Sequence, residues 1–390
     1  MAMAATPEET VRAALEQDPA VAAAEARVER ALGTLTGTGF FLENPSIEVG
    51  IGVVGSRLEV SGTQTLALGG EGVHAHRAAR AEVEAARLGL DRVRMEAAAA
   101  ARQLWIRVVV ADGILELCLA DLESAGRLRE IAAARLAAGE GATLDLSLAR
   151  FEEAAAVALW LDAESEARAA RADFAARTGL GSAERVAGDP LEAAPWTEVG
   201  EGRPRSDVAA AEAHVEAARR SVAAARAGRV PDLTLGGFYE REEGRTVAGP
   251  TVGIEVPLWR HNEATVGEAN ATLIEAEAAA AATRARADAE AVVLEAQRAP
   301  TARALQLLAD MQHDALGATL GEVEHAYAAG ELGLADVLLL RGRLRDGQRA
   351  WLEVRAAVAR SRVEVALAME AEELLVSARQ KRAAEGAWVR

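Results

Sequence analysis

Two periodicities alternate along this chain. Over residues 44–68 and again over 231–258, apolar and polar positions alternate with a period of two. Ile47, Val49, Ile51 and Val53 take one face and Ser46, Glu48, Gly50 and Gly52 the other. In the second segment Val252, Ile254, Val256 and Leu258 oppose Thr251, Gly253 and Glu255, so both read as strand pairs with one greasy face. The other stretches have helical spacing, with long helices predicted at about 72–138, 143–179, 262–329 and 334–382. No proline interrupts the first, and at 1.5 Å per residue it would run for roughly 100 Å. Pro300 interrupts its counterpart and predicts a kink or break near Ala299.

The second half repeats the first. At one constant offset Gly139 meets Gly330, Asp145 meets Asp336, and Trp160–Leu161 meets Trp351–Leu352. Such self-similarity marks a tandem duplication. The chain reads as a single 390-residue unit of two repeats, 1–180 and 205–382. GLGSAERVAGDPLEAAPWTEVGEGRP supplies a Gly- and Pro-rich linker at about 181–204. Each repeat runs helix, two strands, very long helix, Gly-marked turn, second long helix.

Local signals set the ends. Thr6, Pro7 and Glu9 form a capping sequence that opens one helix through TPEETVRAALEQDPAVAAAEARVERALG; Ser206 and Asp207 open its counterpart, to about Gly228. Gly55 and Ser56 predict a tight first hairpin turn, and EEGRTVAG at 242–249 a longer second loop.

Composition narrows the possibilities. Aromatics are 3% of residues while AVILMFWYC reach 51%, and most of that surplus is alanine, which suits long, close-packed helices. The net charge of −17 and a single lysine, Lys381, offer phosphates no landing site, so nucleic acid is not an expected partner. The lone Cys118 excludes an internal disulfide and reads as a small hydrophobe. No apolar run of about 18 residues exists for a membrane-spanning helix, and MAMAATPEET carries no secretion signal. The alternating segments, however, approach the about 9–11 residues with which a tilted strand crosses a bilayer. Four strands cannot close a barrel and open edges are not tolerated in lipid, so several chains must share one.

The motifs NP at Asn44–Pro45, QTLALGG at 64–70, PDLTLGGFYER at 231–241, VGIEVPLW at 252–259 followed by Gly267, and the turns RLAAG and YAAG together resemble the TolC-like outer-membrane factor family over nearly the whole length. The LGG and PDLTLGG elements look most like its CzcC-type heavy-metal efflux branch. The resemblance implies a mainly α fold with a small β part: coiled-coil helical hairpins forming a periplasmic tunnel, and four strands per chain in the twelve-stranded transmembrane β-barrel of a homotrimer. It implies an exit duct for metal ions, drugs or other small molecules in the outer membrane of a Gram-negative bacterium. Its partners would be outer-membrane lipid, a periplasmic adaptor and an inner-membrane transporter of a tripartite efflux or type I secretion system. No cofactor is implied.

The same resemblance assigns the turns. Arg135, Gly139 and Gly330 fall at the tips where adaptor hairpins dock, and glycine supplies the left-handed backbone a sharp turn needs. Asp336 falls where three copies would ring the tunnel axis with negative charge. Tyr327 and Asp145 fall where relatives close the mouth with a phenol-to-carboxylate hydrogen bond. Two departures stand out: Leu332 and Leu339 occupy positions where relatives carry a basic residue and a second axial acid. On elementary grounds Asp145 and Asp336 also read as first-turn acids stabilising the returning helices through the dipole.

Other candidates read as structural. His74 and His76, two apart on a helix, point to different faces and lack a third ligand. GGEG at 69–72 has no following Lys-Ser/Thr and is no phosphate loop. Trp160 and Trp351 read as core or interprotomer packing, and Trp259, Phe40 and Phe41 as interfacial anchors or packing at strand ends. No nucleophile–base pair or catalytic carboxylate pair is visible, so a passive conduit rather than an enzyme is expected. The alternative is a soluble periplasmic all-helical coiled-coil scaffold.

Overall fold

Thr6 opens the chain's first helix with its hydroxyl accepting from Glu9 N at 3.2 Å while the Glu9 carboxylate accepts from Thr6 N at 3.0 Å. The computed structural model describes residues 5–38, 44–52, 57–181, 186, 188–194, 205–242, 244–254, 261–309, 315–371 and 374–375. The helices are α1 (Pro7–Gln17), α2 (Pro19–Gly37), α3 (Glu71–Ala137), α4 (Thr143–Thr178), α5 (Ser206–Ala227), α6 (Glu263–Ala309), α7 (Ala315–Ala328) and α8 (Leu334–Ala368). The strands are β1 (Ser46–Gly52), β2 (Arg57–Leu66), β3 (Leu233–Glu242) and β4 (Arg245–Ile254), and a short 3-10 turn covers Pro190–Ala193.

The chain divides into two units. One holds Met1–Val21, Arg94–Arg203 and Glu290–Arg390, the other Ala22–Val93 and Pro204–Ala289. In the second unit the strands form one antiparallel sheet in the order β1-β2-β3-β4. Its register puts Val49, Val60, Tyr239 and Ala248 in one row and Ile51, Leu58 and Arg241 in another. One face therefore carries Ile47, Val49, Ile51, Leu233, Leu235, Val252 and Ile254; the other carries Ser46, Glu48, Thr63, Glu59, Glu240 and Thr251. The two-faced pattern of the sequence thus extends across all four strands. On the polar face Ser46 and Thr63 hydroxyls meet at 2.6 Å and Arg57 reaches Glu240 at 2.9 Å. The apolar face is uncovered: Ile47 is 73% exposed, Val252 73% and Ile51 76%.

The first unit is built on the middle of α3, whose Ala98, Ala99, Ala101, Trp105, Ile106 and Val108 pack against Ala167, Ala170 and Phe174 of α4 and Ala356, Ala359, Val363 and Ala366 of α8. Alanine at so many contacts leaves no bulk to hold the helices apart. Two buried α3 side chains fasten the surrounding chain. Trp105 Nε1 donates to Ala5 O at 3.0 Å, and Arg102 donates to Leu374 O at 3.1 Å and Ala193 O at 2.8 Å.

Several boundaries differ from expectation. The single opening helix is two, because Pro19 keeps Asp18 extended (φ −69°, ψ 117°) and the Asp18 carboxylate then caps Ala20 N at 2.7 Å. The long second hairpin loop is a tight turn: strand pairing continues to Glu242↔Arg245, with Gly244 at φ 85°. Pro300 does not end its helix, which is described to Ala309, and α7 is described from Ala315. The last long helix stops at Ala368, well short of residue 382, where Glu370 takes a left-handed φ of 49°. Gly55, Ser56, Phe40, Phe41, Val53, Val256, Leu258, Trp259, Lys381 and most of the linker lie outside the described residues.

Candidate functional site

Both helix-to-helix turns lie in the first unit and close alike. Glu140 N donates to Arg135 O at 2.9 Å and Gly139 N to Leu136 O at 3.1 Å; Glu331 N donates to Ala326 O at 2.9 Å and Gly330 N to Tyr327 O at 3.0 Å. This bond pair requires a left-handed residue just past the helix, and Gly139 and Gly330 supply φ of 80° and 78°. The returning helices also start alike, with Ala142 and Gly333 at the cap positions and no side-chain cap. Asp145 and Asp336 are the acids of the two first turns, where a carboxylate faces the positive end of the helix dipole. Asp336 is exposed and Asp145 half-buried.

Arg135 joins the turns. Its Nη1 donates to Tyr327 O at 2.7 Å, and its guanidinium lies 5.0 Å from the Tyr327 ring centroid. Tyr327 itself is 1% exposed, packed among Leu128, Ala132, Ala149, Val323, Leu334 and Val337. Burial pushes its phenol above the usual range, the Asp145 carboxylate adds to this, and Arg135 opposes it. The two turns thus bring Arg135, Tyr327 and Asp145 together. The anticipated hydrogen bond from Tyr327 to Asp145 is not formed within the described chain; the cation over the ring comes from Arg135 on α3. Leu332 packs against the same cluster.

Behind the turns lies a charged seam that the sequence reading did not single out. Glu324 of α7 accepts from Ser124 Oγ of α3 and from Arg127 at 2.9 and 3.0 Å. Burial alone would raise its carboxyl, but these donors outweigh it and hold it below the usual range. Further along, Arg341 of α8, with a fully buried side chain, donates from Nη2 to Asp121 O at 2.8 Å and Oδ1 at 2.7 Å. The available signal was periodicity: Arg341 continues the buried stripe of Leu334 and Val337, so a charge stands where a core residue is due.

His76 and Trp351 have local partners. His76 Nδ1 lies 3.3 Å from Thr38 Oγ1, and Trp351 lies under the Arg355 guanidinium at 4.5 Å. Among the described residues no group of three or more His, Cys, Asp or Glu side chains is placed to hold a metal, and no helix is long and apolar enough to cross a membrane.

Residues 203–370 match the family described as outer membrane efflux protein. No curated protein sequence matches the chain. Among solved structures, the outer membrane protein VceC of Vibrio cholerae is 22% identical, with a TM-score of 0.67 over 93% of this chain and 95% of that one. The Campylobacter jejuni CmeC outer membrane channel is 16% identical, with a TM-score of 0.71 over 97% and 88%. CusC is 16% identical, with a TM-score of 0.70 over 94% and 92%. The second repeat thus matches the outer membrane efflux protein family, and the chain shares its fold along nearly its whole length with these outer-membrane channels.

Proposed function

We propose that this outer-membrane efflux protein is the exit duct of a tripartite efflux or type I secretion system, a passive path from periplasm to exterior for metal ions, drugs or other small molecules. It works as a homotrimer whose twelve pooled strands close a barrel in outer-membrane lipid. The paired helices form the periplasmic tunnel, and the turns at Gly139 and Gly330, with Arg135 beside them, receive a periplasmic adaptor that connects the duct to an inner-membrane transporter. The LGG and PDLTLGG elements favour the heavy-metal branch.

The uncovered apolar sheet face carries this reading. Five β-branched side chains of that face, Ile47, Val49, Ile51, Val252 and Ile254, are each more than half exposed on the two edge strands of an open sheet. In water such edges invite aggregation; in lipid, with the edges joined between chains, they are the required surface. At the helix turns the exposed Asp336 side chains, three to a trimer, ring the axis and attract cations, while Tyr327 and Asp145 set the closed mouth.

Fractionation of the native envelope tests the duct. A heat-modifiable trimer extracted from outer membrane only with detergent, and co-purifying with an adaptor and a transporter, is expected. A stable, monodisperse monomer in plain buffer overturns it in favour of a soluble coiled-coil scaffold. In planar bilayers Asp336→Asn weakens block by divalent cations; unaltered block removes Asp336 from the axis.

A further inference from the structure

The buried arginine of the seam is held by only part of its bonding capacity. A guanidinium carries five N–H donors. On Arg341 the Nη2 donors are taken by Asp121, but Nε and Nη1 have no hydrogen-bond acceptor, and the side chain is 0% exposed. Leaving buried donors of a charged group unmet is costly, so native packing rarely does it without a reason. One acceptor stands just out of reach: Glu152 Oε1 of α4 lies 3.8 Å from Nη1, inside ion-pair range but beyond a hydrogen bond. Asp121, the other carboxylate at this hub, is shared with Arg345 Nη1 at 3.5 Å. A fixed charge therefore sits between α3, which holds it, and α4, which nearly does.

We propose that the α4–α8 contact has two packings and that Arg341 is the residue that selects between them: the one described, with Glu152 apart, and a second in which a slide of about 1 Å between the helices closes the Nη1–Oε1 bond. Well-packed helix contacts are bistable rather than continuously deformable, so a shift this small is adopted as a step. Its position matters to the turns. Asp336 precedes Arg341 on α8 by about a turn and a half, and Asp145 precedes Glu152 on α4 by about two turns. The step moves the two first-turn acids relative to each other, making Arg341 and Glu152 positioning residues for the mouth. That last consequence rests on the proposed function; the two packings do not.

The test uses the full-length chain in detergent micelles, with a trifluoromethyl probe on Leu148→Cys of α4 in a Cys118→Ala background. Leu148 is 37% exposed and lies one turn before Glu152. Two exchanging fluorine resonances are expected. Glu152→Gln, which keeps the shape but loses the charge attraction, shifts their ratio about five-fold towards the described packing. Glu153→Gln, also on α4, which removes the partner of Arg129 of α3, leaves the ratio unchanged. A single resonance, or a ratio indifferent to Glu152→Gln, overturns the proposal, as does a high-resolution map with an ordered water bridging Arg341 Nη1 to Glu152. Two Glu152-dependent resonances in a protein that conducts no ions would retain the switch and reject the duct.

Discussion

Arg135 and Tyr327 sit on different hairpins and are bound twice over: the guanidinium donates to the Tyr327 carbonyl at 2.7 Å and covers the Tyr327 ring at 5.0 Å. That carbonyl also accepts from Gly330 N, so one cation from the first turn completes the helix ending of the second. A hydrogen bond from a charged donor contributes about 1.5–3 kcal/mol and the ring contact about 0.5–1. Arg135→Ala should therefore lower the local opening free energy of the Gly330 turn by about 2 kcal/mol, read by hydrogen exchange at Gly330 and Glu331. Arg135→Lys, which lacks the planar fork, should recover less than half. Unchanged exchange in both variants would show that the turns are independent.

The glycines separate conformation from space. At Gly139 a methyl group would meet nothing within 4 Å, and at Gly330 only Arg135 Nη2 at 3.5 Å. Alanine at either place suffers from the positive φ alone, roughly 1–2 kcal/mol, and asparagine less. Gly141 is the reverse case: no positive φ is recorded there, but a Cβ would press on Leu136 N at 3.0 Å and Arg135 C at 3.2 Å. Thermal midpoints at one fixed scan rate should place Gly139→Asn above Gly139→Ala. For Gly141 asparagine should rank no better than alanine, since both carry the same Cβ.

Tyr327 offers a division between ring and hydroxyl. With the residue 1% exposed, Tyr327→Ala opens a cavity costing about 3–5 kcal/mol. Tyr327→Phe removes a hydroxyl with no hydrogen-bond partner in the described chain and should stay within about 0.5 kcal/mol. Hydrogen exchange of Leu334–Leu338 amides checks both. If Tyr327→Phe nonetheless raises closed-state current in bilayers, the hydroxyl acts between chains rather than within one.

The parts of this structure legible in the sequence are those governed by a short repeat. A period of two assigned Ile47, Val49 and Ile51 to one face before any pairing was known, and Gly139 and Gly330 marked turns because left-handed backbone all but requires glycine. Where a tertiary contact overrides local chemistry, the sequence misleads. EEGRTVAG looks like a loop by composition, yet its second half is held as β4 by pairing with β3. The end of α8 was hidden because Glu370, not glycine, takes the left-handed position. The seam was hidden for a related reason: Asp121 and Glu324 look like the solvated face of a helix until the neighbouring helix covers them, and only the stripe of Leu334 and Val337 marks Arg341 as buried.

The second unit carries a pH-sensitive contact between α3 and α5. His214 Nδ1 lies 3.0 Å from Glu82 Oε2. The hydrogen bond with Glu82 raises the His214 pKa despite partial burial, and the same bond lowers that of Glu82. A raised histidine contributes stability that is complete below its unfolded value of about 6.5 and is lost as pH rises through the folded value. A lowered carboxylate contributes stability present above about 4.3 and lost as pH falls through its folded value. The pair is therefore strongest between about pH 4.3 and 6.5 and weakens on both sides. Both side chains are about half exposed, 48% and 47%, so solvent screening keeps the effect small. The thermal midpoint of the native chain should fall from pH 6 to pH 8 by a margin that His214→Gln lacks, and high salt should shrink that margin. Parallel profiles for the two proteins would mean that the contact carries no net stability, and a margin of opposite sign would mean that burial of the imidazole outweighs its bond to Glu82.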